Sequence, residues 1–102
     1  MANLTEAVVM KIGSGLDEDK NPKRGYISNC AQSLLRLLNE SDEVTVKAIG
    51  RDAMLNVVKT ITRAEEFSEG KALKAFDFCY KEETLSEGSN PISVFNITVR
   101  YV

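Results

Sequence analysis

The spacing of hydrophobic positions changes along the chain, and the changes divide it into predicted strands and helices. An apolar run over residues 7–12 stops at Gly13 and is typical of a buried strand. The polar segment 16–25 then forms a loop. From Tyr26 the apolar positions recur at helical spacing, which predicts a helix that ends near Asn39. They are Ile27, Cys30, Ala31, Leu34, Leu37 and Leu38.

A second strand and a second helix follow a short polar connection. Alternating β-branched residues over 44–49 predict the strand, and helical spacing returns after Gly50. We expect Asp52 to cap the amino end of this helix and Gly70 to stop it. The predicted buried stripe consists of Met54, Val57, Val58, Ile61, Ala64 and Glu65, with Phe67 near the end.

After Gly70 the spacing of the hydrophobic positions becomes two, which predicts two strands joined by an exposed hairpin tip over 83–91. The fourth strand alternates from Ser93 to Tyr101. Alternation in the third strand predicts that its aromatic residues share one side, and we expect that side to form core or a dimer interface rather than to stack bases. The residues of this side are Ala72, Lys74, Phe76, Phe78 and Tyr80.

The element order βαβαββ predicts an α/β fold. Strand–helix–strand crossovers are right-handed, so both helices fall on the same face of the sheet. The prediction is a two-layer sandwich of a four-stranded mixed sheet and two helices on one face. The 102 residues suffice for one core, so we expect a single domain over 1–102.

Composition lowers the expectation of catalysis. The chain has no histidine, which excludes Ser–His and Cys–His nucleophile pairs and imidazole metal sites. Carboxylate, lysine or tyrosine chemistry stays open, but a non-enzyme is the prediction.

The amino terminus does not resemble a signal peptide, and no apolar run is long enough to span a membrane. Cys30 and Cys79 are expected to be buried reduced thiols, with a disulfide between them as the alternative. Together with the lack of a signal peptide or membrane span, this predicts a cytoplasmic protein without membrane contact.

Two loop motifs resemble the start of a ligand site, but each lacks a residue that such a site requires. Asp17-x-Asp19-x-Asn21 begins like a calcium loop, but Pro22 stands where such a loop needs glycine. The glycines of 13–15 follow a strand, but the third glycine of a dinucleotide fingerprint is Glu18. We therefore predict no cofactor and no metal.

The location of the charges is more informative than their total. The net charge is −2, yet residues 20–63 hold eight basic and four acidic groups, a net of +4, and the remainder has −6. Lys20, Lys23 and Arg24 lie in the first strand–helix loop, and Gly50 and Arg51 open the second helix. Parallel strands bring these loops to one sheet edge, where helix N–H groups favour an anion such as a phosphate. The alternative is a set of solubilising charges, with Arg51 paired to Asp52 or Glu43.

The central segment 47–61 resembles the signature of the stage V sporulation protein S family, a branch of the Alba superfamily of small nucleic-acid-binding proteins. The resemblance rests on Ala48-Ile49-Gly50 at a strand–helix junction, followed by Val58-Lys59. It implies the βαβαββ fold, a homodimer or larger homo-oligomer, and nucleic-acid binding without catalysis. In this superfamily a basic pair in the first loop, an arginine after the second strand and the terminal hairpin contact the duplex.

Carried onto this chain, the resemblance gives Lys23-Arg24 and Arg51 as contact residues. The first loop also carries acidic residues at 17–19, and the hairpin is acidic, which fits the sporulation branch of developmental regulators better than chromatin proteins. The leading hypothesis is a dimer that binds the phosphate backbone of DNA or RNA weakly through Lys20, Lys23, Arg24, Gly50 and Arg51. The alternative is a protein-interaction or assembly module of the same fold that has lost nucleic-acid binding.

Overall fold

The structure, a computed structural model, describes residues 8–84 and 86–102. Its element order confirms the predicted βαβαββ sequence. The predicted first strand included Ala7, which lies outside the described residues. The elements are β1 (Val9–Ile12), α1 (Tyr26–Glu40), β2 (Val44–Ile49), α2 (Arg51–Phe67), β3 (Leu73–Glu83) and β4 (Ile92–Tyr101).

The four strands form one mixed sheet in the order β1-β2-β4-β3, which confirms the predicted fold class. β1 and β2 are parallel, and β4 is antiparallel to both β2 and β3. Val46 lies beside Met10 on one side and Ile97 on the other, and all three are buried under the helices. No helix among the described residues has the length and apolar character needed to cross a bilayer.

The hydrophobic core lies between this sheet face and the two helices. α1 contributes Leu34 and α2 contributes Val57, both fully shielded from solvent. Burial of one such side chain stabilises the fold by about 1.5–3 kcal/mol. The sheet contributes buried aliphatic residues from the two central strands: Val44, Val46, Ala48, Ile97 and Val99.

The stripe with which α2 faces the core matches the predicted one in part. Val57 and Ala64 are buried as predicted, whereas Val58, also expected inside, is 54% exposed. The small residues Ala53 and Thr60, which were not predicted to face the core, are buried as well. Small side chains let the helix backbone lie close to its neighbours, and this close packing determines the rotation of the helix. The predicted cap is also wrong, because Gly50 occupies the N-cap without a side-chain hydrogen bond and Asp52 lies inside the first turn.

β3 contains a bulge that breaks the predicted alternation. Phe76 pairs with Thr98 but Cys79 pairs with Asn96, so one extra residue is inserted on β3. Asp77, in the bulge, has a φ of 55°. Tyr80 pairs with a residue of the helix-covered face and Phe76 with one of the other face, so the aromatic residues do not share one side as predicted.

The cysteines are both free thiols, as predicted, but only one is buried. Cys30 lies in the core, whereas Cys79 is exposed, which corrects the expectation that both would be inside. The bulge places Cys79 beside Asn96, on the sheet face that carries no helix.

Candidate nucleic-acid interface

The predicted contact residues lie along the sheet edge at which β1 and β2 end. We call this the loop edge and define it by the β1–α1 loop, residues 13–25, and the start of α2, residues 50–52. The base of the β3–β4 hairpin lies against it, because the Gly50 N–H donates to the Ser93 carbonyl oxygen at 2.9 Å. The parallel pairing of β1 and β2 therefore brings both loops together, as the sequence predicts.

The β1–α1 loop is held against both helices by hydrogen bonds at its first residue. The Gly13 N–H donates to the Tyr26 hydroxyl of α1 at 2.7 Å. Asn56 Nδ2 of α2 donates to the Gly13 carbonyl oxygen at 2.9 Å. Asn56 is 9% exposed, and sequence reasoning missed it because a polar residue there breaks the apolar stripe. The loop is thus anchored at its start.

The acidic residues of the loop organise its own backbone. Asp17 Oδ1 accepts hydrogen bonds from the N–H groups of Asp19 and Asn21, both at 2.9 Å. This turn places Lys20 at a φ of 64°. The Asp17 carboxylate therefore orders the loop. The described residues contain no group of three His, Cys, Asp or Glu side chains that could hold a metal ion.

A groove of about 380 Å³ separates the loop from α2. Lys23 lines it from the loop, and Lys59 and Asp52 line it from α2. The Lys23 ammonium lies 5.9 Å from the centroid of the Tyr26 ring, a cation–π distance. Lys59 belongs to the motif on which the resemblance rests, but it was not predicted as a site residue. The sequence does not show the rotation of α2 that turns Lys59 toward the groove.

None of the predicted cations is neutralised by an ion pair with a described residue. The ion pairs within residues 8–84 and 86–102 join Arg63 to Glu66 and Lys81 to Glu83. The suggested pairing of Arg51 with Asp52 or Glu43 is therefore absent. The remaining predicted site residues are Lys20, Lys23 and Arg24, all exposed.

Gly50 contributes its backbone conformation to the site, but its N–H is not free to bind a ligand. Its φ is 91° and its ψ is 164°, a conformation that residues with a Cβ avoid. Its N–H is already bound to Ser93, and its carbonyl oxygen accepts from the Met54 N–H at 3.1 Å. The glycine thereby turns the chain sharply from β2 into α2, immediately before Arg51.

Behind the loop edge lies a small group of protonated side chains. Cys30 lies beside the hydroxyls of Tyr26 and Thr60. Burial raises the pKa of the Cys30 thiol and the pKa of the Tyr26 hydroxyl. Both groups are therefore neutral at physiological pH, and the thiol is not activated as a nucleophile.

Charges at the base of the hairpin are paired within the hairpin itself. Lys81 Nζ lies 2.9 Å from Glu83 Oε1, and hydrogen bonding to Lys81 lowers the pKa of Glu83. The Tyr80 hydroxyl donates to Glu82 Oε1 at 3.0 Å. The Tyr80 ring also packs against Phe95, with centroids 5.2 Å apart. Among the described residues next to the hairpin tip, no cation is therefore left unpaired.

The geometry of sheet and helices is that of the Alba class of small α/β proteins. The chain is similar to Alba from Thermoplasma volcanium, with a TM-score of 0.60 and 20% sequence identity. The match covers 90% of this chain and 98% of that one. By sequence, the chain matches no family model and no curated protein. The protein therefore has the Alba fold.

Proposed function

We propose that this protein is a non-catalytic nucleic-acid-binding protein of the Alba type that contacts the phosphate backbone through the loop edge. The observation that carries the proposal is a cluster of exposed cations at one edge of an Alba fold. None of these cations forms an ion pair with a described residue. The cations are Lys20, Lys23, Arg24 and Arg51, with Gly50 setting the turn that presents Arg51.

Binding of this kind positions a nucleic acid without reading its sequence. Lysine and arginine ammonium and guanidinium groups bind phosphate oxygens, and the released counterions make affinity fall with salt. Four phosphate contacts per protomer correspond to a slope of about −3.6 in log K against log salt. The net charge of −2 and the acidic residues of the loop keep the affinity low.

We also propose that the protein acts as a homodimer or larger homo-oligomer. Exposed apolar side chains on α2 support this, because Leu55 and Val58 are each 54% exposed one helical turn apart. Exposed apolar groups that lie together mark association surfaces. The developmental role of the sporulation branch stays a prediction from the resemblance.

The proposal is tested by fluorescence anisotropy with a labelled DNA duplex and a labelled RNA duplex between 50 and 200 mM salt. We expect affinity to fall roughly 100-fold over this range. The Lys23→Glu/Arg24→Glu variant should bind more weakly and lose about half of the salt slope. Arg36→Glu/Lys71→Glu is the matched control, since it makes the same change in net charge at the opposite sheet edge.

Two results would contradict the proposal. One is no detectable binding of either duplex at 50 mM salt, and the other is equal weakening by the control variant. Equal weakening by the control would show that binding depends on net charge and not on the loop edge. Absence of binding would favour the protein-interaction module, for which the exposed Leu55 and Val58 are the specific support. Sedimentation or light scattering of Val58→Asp then tests whether this surface joins two copies of the chain.

A further inference from the structure

The sheet face that carries no helix displays two pairs of adjacent cations. The strand register places Lys11 of β1 directly beside Lys47 of β2. At the other side of the sheet, Arg100 of β4 lies directly beside Lys74 of β3. Like charges opposite each other on neighbouring strands destabilise a sheet. We call this surface the open face and define it by these four cations and the residues that lie between them.

The described residues supply little counter-charge to these cations. None of the four forms an ion pair with a described residue. The paired positions between them contain no acidic side chain, and Glu83, further along the same face, is bound to Lys81. Hydrogen bonding to Lys81 lowers the pKa of Glu83, and attraction by Lys47 adds to this effect. The open face is therefore a positively charged surface that the described residues neutralise only in part.

The centre of the open face combines hydrogen-bonding groups with one aromatic ring. The register aligns Thr45, Thr98 and Phe76 in one row across three strands, and Asn96 lies beside Lys47 in the next. The side chains of these polar residues are half-buried and make no hydrogen bond to a described residue. They therefore retain their capacity to bind a polar ligand.

Phe76 lies next to the cation pair of its side of the sheet. The centroid of its ring is 5.5 Å from Lys74 Nζ and 5.3 Å from Arg100 Cζ. An aromatic ring flanked by cations is the arrangement on which an unpaired base stacks while its phosphates are neutralised. An aliphatic ligand or an acidic peptide has no base that would stack on the Phe76 ring.

We propose that the open face binds single-stranded nucleic acid, with a base on Phe76 and phosphates at the two cation pairs. Four strands give a surface about 14 Å wide, which accommodates an extended strand. A duplex keeps its bases stacked inside and cannot use the ring. A second copy of the chain is disfavoured as the occupant, because a two-fold contact would set these cations against themselves. This site is separate from the loop edge and does not depend on the function proposed for it.

The aromatic part of the site is tested with labelled 12-nucleotide oligo(dT) and oligo(U) and with a hairpin duplex. Phe76→Leu should weaken binding of the single strands roughly 5- to 100-fold and leave duplex binding unchanged. Phe67→Leu is the matched control, because Phe67 is also partly exposed and lies 6.0 Å from Arg63, but on α2. It should change neither affinity. A difference between oligo(dT) and oligo(U) identifies the preferred sugar.

The charged part is tested by Lys74→Ser/Arg100→Ser, which should reduce the salt slope for single strands by about 1.4. The loop variant Lys23→Glu/Arg24→Glu should affect single strands less than duplex, so the two sites can fail separately. Absence of single-strand binding at 50 mM salt would overturn the proposal. So would equal losses in Phe67→Leu and Phe76→Leu. Binding to vesicles with 30% phosphatidylserine, lost in the serine variant while oligonucleotides do not bind, would assign the face to a lipid surface instead.

Discussion

Replacing Gly50 by alanine should destabilise the protein through backbone conformation alone. At most buried glycines an added Cβ also collides with its surroundings, which confounds the comparison. At Gly50 a Cβ would meet no atom within 4 Å. The φ of 91° and ψ of 164° are therefore the sole source of the expected cost.

The size of the effect follows from two opposing terms. Holding a residue with a Cβ in this region costs of order 1–3 kcal/mol. The unfolded chain with alanine has less entropy to lose, which returns about 0.4–1 kcal/mol. The expected net loss is about 1.5 kcal/mol in the free energy of unfolding, or roughly 6–12 °C in Tm for a domain of this size.

The matched control is Gly25, the N-cap of α1. A Cβ there also meets nothing within 4 Å, but φ is 73° and ψ is 10°, in the left-handed region that asparagine tolerates. Asparagine should therefore cost little at Gly25 and as much as alanine at Gly50. Urea unfolding followed by far-UV circular dichroism measures Gly50→Ala, Gly50→Asn and Gly25→Asn on one scale.

A D-amino acid gives the sharpest form of the test. The mirror image of the Gly50 conformation is ordinary extended backbone, so D-alanine at position 50 fits without strain. The chain can be assembled from three synthetic segments joined at Cys30 and Cys79. We expect the D-alanine protein to be at least as stable as the natural one. Equal destabilisation by L- and D-alanine would refute the conformational explanation, as would equal losses at Gly25 and Gly50 with asparagine.

Three further predictions concern the described contacts. Asn56→Ala removes a part-buried hydrogen bond to the first loop and should cost about 1 kcal/mol in urea unfolding; unchanged stability would show that water replaces it. Burial raises the pKa of Tyr26 and of Cys30, so the unfolded chain loses these protons first and stability should fall as pH rises above 9 and again above 10. The fall should be smaller in Tyr26→Phe, and an equal fall would contradict the assignment. Lys74→Glu puts an opposite charge beside Arg100 and should raise stability by about 0.2–1 kcal/mol at low salt and less at 1 M salt. No gain in Tm at low salt would show that the two cations do not repel.

The sequence is sufficient to predict the order of helices and strands, because the hydrophobic positions of each element recur with one clear spacing. The bounds of β2 and the start of α1 follow directly from β-branched alternation and from the apolar positions after Tyr26. The neighbouring loops at the loop edge follow from parallel pairing. These features depend on local residues and on one handedness rule, so no tertiary information is needed.

The sequence does not predict the features that depend on tertiary packing. Val57 and Val58 are equally apolar, and the choice between them depends on how closely small residues let α2 approach the core. The positive φ of Asp77 has no distinct sequence signal, so the bulge could not be anticipated. The cations of the open face lie far apart along the chain, and the strand register alone joins them: Lys11, Lys47, Lys74 and Arg100.

The bulge at Asp77 has a consequence for how this hairpin can change. Because one extra residue reverses the alternation beyond it, even-numbered residues of β3 lie on the open face before the bulge and on the helix-covered face after it. Deleting Asp77 would restore regular alternation, with Phe76 still opposite Thr98 and Tyr80 still opposite Phe95. A one-codon deletion would thus change the bend and twist of the hairpin in a single evolutionary step, while each surface keeps its side chains.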